Sequence, residues 1–307
     1  MSADVVLIAG TGRSGSTLLG LVLGTGPDAF HLGEVDALYR PWRAHHHTLE
    51  CRLCGTDCAV WRRLAGLPAR HLHLGVAERL EVDLVVDSSK SLPWIWDVGR
   101  WARSDGLAVR HVAVWKDPVD LAYSIWKRGG EAGEWERVFV SYYRRYFELG
   151  FDAVSVNYRR FAERPEDGLR RLSAALGIPD RPERLRFWEA DHHHLFGTGS
   201  IDLGSPSPIR PTRRSAEFEE AWERAPAPGA GARALVAALE AREAGLREPA
   251  GRPPPRRTPP LWYYKGRALR ALRRYRPQPW APPVFRTSRA PAGSGPGGRV
   301  DGPGEGC

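Results

Sequence analysis

The sequence predicts an α/β fold, with a P-loop-like central parallel sheet flanked by helices in a single domain that carries a flexible C-terminal tail. Three observations lead there. An apolar run at residues 5–9 leads into Gly10-Thr11-Gly12-Arg13-Ser14-Gly15-Ser16-Thr17 and then into the apolar run at 18–23, the order of a strand, an anion-binding turn and a helix. Short β-branched runs alternate with helical patterns further along, which implies parallel strands joined by crossover helices. Beyond residue 250 the chain is rich in Pro, Gly and Arg without periodicity, as in a solvated tail.

The first strand and its turn are the most specific element. Gly10, Gly12 and Gly15 permit a tight turn and close backbone approach, so successive N–H groups and the N-terminus of a helix from about Ser14 can converge on an anion. In the nucleotide-hydrolase spacing of Gly, four residues, Gly, Lys and Ser/Thr, the lysine position here is Ser16, and the cation stands three residues earlier as Arg13. The turn keeps its anion and lacks the lysine that meets β/γ-phosphates. The plain alternative, glycines serving only strand–helix packing, leaves the density of Gly, Ser and Thr between the two apolar runs unexplained.

The later strands are expected at 84–86, 109–115 and 153–156, and ligands of parallel sheets gather at the carboxyl ends of strands. The strand at 84–86 ends in Asp87-Ser88-Ser89-Lys90. The strand at 109–115 ends in Lys116-Asp117-Pro118, with Asp117 as N-cap and Pro118 opening a helix through Lys127. Lys116 and Ser124, eight residues apart, can then face one side of the strand end and hold a further phosphate. After 153–156 come Asn157 and Tyr158, then a helix over 162–178. One or two helices fit 215–247, a Pro/Arg linker 252–260, and a Gly/Pro-rich segment 290–307.

Composition bounds the function. With 307 residues, 42% of them hydrophobic, the chain can bury one substantial core. It contains no run of 18 apolar residues and no basic region before the first strand, so neither a membrane span nor a secretory signal is expected, and a cytoplasmic location is. Four cysteines, three of them clustered, do not form a secreted disulfide framework. The net charge of +9 is unevenly placed: residues 251–307 hold twelve Lys and Arg against Asp301 and Glu305, a net of +10, which leaves residues 1–250 near −1. A catalytic domain over 1–250 and a largely disordered basic tail over 251–307 follow, with no nucleic-acid partner for the domain. The basic, aromatic stretch at 261–276 reads as a solvated helix of that tail, or as a weak contact for a membrane surface or polyanionic acceptor.

Taken together, Gly12, Arg13, Ser14, Gly15, Ser16 and Thr17, the segment Asp87 to Lys90, Lys116-Asp117-Pro118 with Ser124, and Tyr158 resemble the sulfotransferases that use 3′-phosphoadenosine-5′-phosphosulfate, over roughly residues 5–195. The resemblance extends to bacterial sulfotransferases and to the tyrosylprotein sulfotransferase branch, in which the helix after the turn leads to a Gly-Glu pair, here Gly33-Glu34. It implies that the glycine-rich turn binds the 5′-phosphosulfate and that Lys116 and Ser124 bind the 3′-phosphate, Lys116 standing where the family has arginine and so lacking the bidentate fork. It also implies Tyr158 at the adenosine, Glu34 as catalytic base, Arg13 and Lys90 stabilising the leaving group, no required metal, and a small-molecule or glycan acceptor. The run His192-His193-His194-Leu195-Phe196-Gly197 resembles a loop that closes over the cofactor in bacterial relatives, although Gly197-Thr198-Gly199-Ser200 replaces the expected continuation. Cys51, Cys54, Cys58 and Trp61 resemble a cysteine-rich insertion of bacterial members; with one of His45, His46 or His47 the thiols could make a tetrahedral zinc site, set against reduced structural cysteines.

Two other classes compete. A P-loop kinase needs a lysine after Gly15, where Ser16 stands, and a carboxylate for Mg²⁺ at a strand end, which Asp87 could supply. A non-catalytic nucleotide-binding protein held to membranes by its tail would have no need of Glu34 and Lys90. Trp42, Trp94, Trp96 and Trp101 could build an aromatic wall for an acceptor or belong to the core.

Overall fold

The computed structural model describes residues 3–197, 201, 203, 205–243 and 258–264. In chain order these form β1 (Asp4–Ala9), α1 (Ser16–Leu23), β2 (Ala29–Gly33), α2 (Asp36–Tyr39), α3 (Ala59–Arg63), α4 (Leu72–Leu80), β3 (Leu84–Asp87), α5 (Leu92–Ser104), β4 (Ala108–Trp115), α6 (Pro118–Trp126), α7 (Glu134–Glu148), β5 (Ala153–Asn157), α8 (Tyr158–Glu163), α9 (Pro165–Leu176), α10 (Ala216–Glu223) and α11 (Ala230–Glu240). The five strands make one wholly parallel sheet in the order β2-β3-β1-β4-β5. The predicted α/β architecture is the observed one.

Residues of β1 divide between the two faces as a pleated strand requires. Val5, Leu7 and Ala9 join one apolar cluster, and Val6 and Ile8 the other. Because both faces are covered, the strand reads as an unbroken apolar run rather than an alternation. One layer packs Leu18, Leu19, Leu21 and Val22 of α1 and Leu169 and Leu172 of α9 against Val86, Val112 and Val114. The other packs α5 and α7, whose buried Trp135, Phe139, Tyr143 and Tyr146 recur at helical spacing on one stripe. Tyr143 Oη also donates to the Val114 carbonyl oxygen at 2.8 Å, joining α7 to β4.

Four elements differ from the sequence expectation. Residues 29–33 form a strand, β2, that pairs with β3 in register Phe30–Val85 and His31–Val86. The helix expected over 162–178 is two helices, because Pro165 can begin a helix but not continue one, and α9 starts there. Asp117 occupies the N-cap position of α6, but its Oδ1 accepts from Asn157 Nδ2 at 2.9 Å instead of capping the helix. Residues 258–264, expected in a solvated tail, lie against the domain: Tyr263 is buried with its hydroxyl on Asp97, and Trp262 Nε1 donates to Glu148 Oε2 at 2.6 Å. The expected disorder of the remaining tail falls on residues 251–257 and 265–307, outside the described residues. No described helix is long and apolar enough to cross a membrane.

The order 2-3-1-4-5 sets a switch point between β1 and β4. The chain leaves β1 toward one edge of the sheet and β4 toward the other, so a crevice opens between their carboxyl ends. The glycine-rich turn follows β1 and Lys116 follows β4, which places both at that crevice.

Candidate functional site

The turn after β1 is built to approach something closely. Gly15, immediately before α1, has φ +102°, and the Tyr158 ring fills the space of a side chain there, with Cδ2 2.3 Å from where a Cβ would lie. No side chain caps the N-terminus of α1 and its first turn holds no carboxylate, which leaves the positive end of the helix to an anion. Arg13 adopts φ +73°, a left-handed conformation that costs an L-residue about 1–2 kcal/mol and turns its side chain into the cleft, which it lines. Ser14 differs from its neighbours: it is buried, its N–H donates to the Thr11 oxygen at 3.2 Å, and its hydroxyl, without a partner among the described residues, does not line the cleft.

Across the crevice, β2 and β3 deliver Glu34 and Lys90. The Ser88 N–H donates to the Gly33 oxygen at 3.0 Å, and Lys90, itself left-handed at φ +61°, donates from Nζ to Glu34 Oε1. The ion pair is largely shielded, with side-chain exposures of 15% for Lys90 and 22% for Glu34, yet both residues face the cleft. Tyr142 of α7 fixes the two halves. Its hydroxyl accepts the Gly10 N–H at 2.9 Å and donates to the Lys90 carbonyl at 2.7 Å. Behind Glu34, burial first and then the neighbouring Asp87 and Glu34 hold the Asp36 carboxyl well above the usual carboxylate range.

Asp87, the candidate Mg²⁺ carboxylate, does not line the cleft. It is 1% exposed, Oδ1 accepts from the Ser89 N–H at 2.9 Å and from the Ser89 hydroxyl, and Oδ2 accepts from Trp94 Nε1 at 2.8 Å and meets His73 Nε2 at 3.0 Å. Burial works to raise this carboxyl, but bonds from His73, Ser89 and Trp94 outweigh it and hold it below the ordinary value. The aromatic wall dissolves for the same reason. Trp94 and Trp96 belong to the core, Trp101 packs against it, and only Trp42 of the four is exposed, at 55%.

The third station lies at the end of β4. Lys116 Nζ donates to Ser124 Oγ at 3.1 Å and stands 4.8 Å from the centre of the Tyr158 ring. Burial pulls the Lys116 ammonium down to about 8, the Asp120 charge opposing that fall. Asp120 itself is fully buried beneath the station, held by Arg159 at 2.7 Å and by Arg214 Nη1 at 2.7 Å. These pairs anchor the chain that runs from residue 207 to residue 214 along the rim.

The three stations share one open cleft of about 890 Å³. Gly12, Arg13, Gly15, Ser16, Thr17, Glu34, Lys90, Lys116, Ser124 and Tyr158 all line it, so every residue expected at the site except Ser14 meets there. Sequence reasoning missed Arg43, Lys127, Arg128 and the rim segment Ser207, Pro208, Ile209 and Arg210. Lys127-Arg128 was visible as a basic pair ending a helix opened by Lys116-Asp117-Pro118; Arg43 and Arg210 have no local signal. Among the described residues, seven cationic side chains face the cleft against one carboxylate, Glu34.

The fold is that of sulfotransferase domains. The sulfotransferase domain from the curacin biosynthetic pathway superimposes with a TM-score of 0.51 at 16% identity over 78% of this chain and 98% of that one. The sulfotransferase domain from the Synechococcus PCC 7002 olefin synthase gives the same score, identity and coverage of this chain, over 95% of its own. The sequence matches no protein-family model and no curated protein.

The segment after residue 190 runs from the cysteine loop to the cleft. Leu195 N–H donates to the Leu32 oxygen at 3.0 Å and its carbonyl accepts the Glu34 N–H at 2.9 Å, so the segment runs beside β2. Gly197 reaches the cleft, whereas residues 198–200 lie outside the described ones. His193 points away, toward Cys51, Cys54 and Cys58. The expected fourth neighbour of the thiols, one of His45 to His47, is therefore replaced by a residue about 140 positions along the chain. His46 instead packs edge-on against Trp42 and Phe196.

Proposed function

We propose that the chain is a sulfotransferase that moves a sulfuryl group from 3′-phosphoadenosine-5′-phosphosulfate to a hydroxyl or amine acceptor. The observation that carries this reading is the meeting, in one cleft, of an uncapped helix terminus, a Lys90–Glu34 pair and a separate Lys116–Ser124 station. A donor with phosphates at both its 5′ and 3′ positions needs two anion sites with an aromatic surface between them, and Tyr158 lies between Gly15 and Lys116. The buried cation of Lys116, held toward the cleft by Ser124, and the Tyr158 ring packed on Gly15 fit such a ligand.

In this reading the backbone N–H groups of Gly15 to Thr17 and the Arg13 side chain orient the 5′-phosphosulfate. Glu34 accepts the proton of the acceptor hydroxyl as its oxygen bonds to sulfur and the bond from sulfur to the 5′-phosphate oxygen breaks. Lys90, released from Glu34 as the carboxylate gains that proton, neutralises the charge arriving on the phosphate oxygen. Fixed cations do here what a divalent ion does in phosphoryl transfer. Glu34 is the single carboxylate among the described residues lining the cleft, and Asp87 is fully engaged, which disfavours a Mg²⁺-dependent kinase.

The test is thermal stabilisation by 3′-phosphoadenosine-5′-phosphate compared with ATP plus Mg²⁺, because a ligand that binds only the native state raises its melting temperature. The bisphosphate nucleotide is expected to stabilise in the presence of a Mg²⁺ chelator. Stabilisation by ATP that needs Mg²⁺, with none by the bisphosphate nucleotide, assigns the cleft to nucleoside triphosphate chemistry instead.

A further inference from the structure

Outside the cleft, the described residues hold one cluster of soft metal ligands. Cys51, Cys54 and Cys58 occupy the loop between α2 and α3, and His193 comes from the segment beside β2. The Nδ1 atom of His193 lies 3.8 Å from Cys51 Sγ, 3.4 Å from Cys54 Sγ and 3.5 Å from Cys58 Sγ. One imidazole nitrogen has either one proton or one lone pair, directed along one line, so it can serve one of these sulfurs as a hydrogen-bond partner and not three. A tetrahedral ion explains all three distances. With bonds of about 2.3 Å to sulfur and about 2.05 Å to nitrogen, the tetrahedral angle sets sulfur and nitrogen about 3.6 Å apart. All four ligand atoms lie within 4.8 Å of one another, the size of a single-ion site; the terminal sulfurs of a two-iron cluster spread wider.

The surroundings are those of a metal knuckle. Cys51 and Gly55 exchange backbone hydrogen bonds of 2.8 and 2.9 Å that close the turn carrying two of the thiols, and the N–H groups of Leu53 and Cys54 donate to the Cys51 sulfur. Trp61 Nε1 donates to the His193 carbonyl oxygen, and the Arg52 N–H donates to the His194 oxygen at 3.1 Å, so the histidine's backbone is fixed from the cysteine side. Outer bonds of this kind hold ligands in place before the ion arrives.

We propose that Cys51, Cys54, Cys58 and His193 bind one structural Zn²⁺ ion. Three thiols release their protons to solvent as their sulfurs bond to the ion, His193 binds through Nδ1 as the neutral ring, and no redox change is involved. The ion closes four positions with protein ligands, so it keeps none open for substrate. Its effect is a staple between the cysteine loop and the segment whose Leu195, two residues after His193, accepts the Glu34 N–H. The assignment does not depend on the nature of the donor in the cleft.

The test is metal analysis of the full chain after dialysis against metal-free buffer, followed by removal of the metal and titration with Co²⁺. About one zinc per chain is expected, and one equivalent of Co²⁺ should give the intense visible bands of a tetrahedral thiolate site. His193→Ala should lower zinc content at least tenfold, His193→Cys should restore it as a four-cysteine site, and His46→Ala should leave it unchanged. Sub-stoichiometric zinc, a stoichiometric iron content or an octahedral cobalt spectrum overturns the proposal, as does equal retention of zinc by His193→Ala. If the alanine variant does not fold, metal content and the cobalt spectrum of the unaltered chain still decide.

Discussion

The Lys116 station makes a quantitative prediction about pH. Burial has lowered the ammonium from 10.5 to about 8, so at pH 7 about nine in ten molecules carry the charge and at pH 9 about one in ten do. A 3′-phosphate remains a dianion across that interval, since its second ionisation lies near 6. If Lys116 holds that phosphate, affinity for 3′-phosphoadenosine-5′-phosphate falls about tenfold between pH 7 and pH 9, or about 1.4 kcal/mol. The sign follows from the direction of the shift: the cation is present below about 8, and binding, which needs it, weakens above. Lys116→Arg supplies a charge that does not titrate in this range and should flatten the profile, while Lys116→Ala should cost about 1.5–3 kcal/mol at pH 7. Adenosine 5′-phosphosulfate, without the 3′-phosphate, should show neither effect. Calorimetric titration of both ligands at the two pH values measures all of this. Equal pH dependence for both ligands, or an unchanged slope in Lys116→Arg, refutes the role given to Lys116.

Two further outcomes follow from packing and protonation. Gly15→Ala puts a methyl 2.3 Å from the Tyr158 ring at φ +102°, so nucleotide affinity should fall at least tenfold; thermal shifts showing normal binding would mean that the packing of Tyr158 on Gly15 does not shape the nucleotide site. His111, buried and stacked on Phe151, is held down to about 3 by burial and by Arg103. Its contribution is therefore whole above pH 6.5 and is lost toward pH 3, at up to about 1.4 kcal/mol per pH unit. Denaturant titrations between pH 7 and 4.5 should show a shallower decline for His111→Gln than for the unaltered chain, and parallel declines would contradict the assignment.

The strand–turn–helix at residues 4–23 was legible because its signals are local: β-branched residues, glycines at fixed offsets and a buried helix. Lys116 and Ser124 were legible for the same reason, eight residues apart on a strand end and the helix it opens. β2 was not, because Ala29-Phe30-His31-Leu32-Gly33 is short and has little intrinsic preference; its pairing with β3 and the 2.9 Å contact from His31 Nε2 to Ser88 Oγ make it a strand. The partner of the cysteines was misplaced by proximity in sequence: His45 to His47 stand nearest along the chain, and only the path of residues 192–196 beside β2 brings His193 to them. Arg43 and Arg210 reach the cleft from loops positioned by tertiary contacts such as Arg214 with Asp120, which no spacing rule encodes.

The central claim, sulfuryl transfer with Glu34 as base, is tested most directly by following radiolabelled sulfate from 3′-phosphoadenosine-5′-phosphosulfate into a hydroxyl acceptor with the unaltered chain and with Glu34→Gln. Glutamine keeps the shape and the hydrogen-bonding capacity of the side chain but removes the basic carboxylate. Turnover should fall by about 10²–10⁴ while calorimetric affinity for the bisphosphate nucleotide stays within a few fold. Transfer by Glu34→Gln at the rate of the unaltered chain would contradict the account.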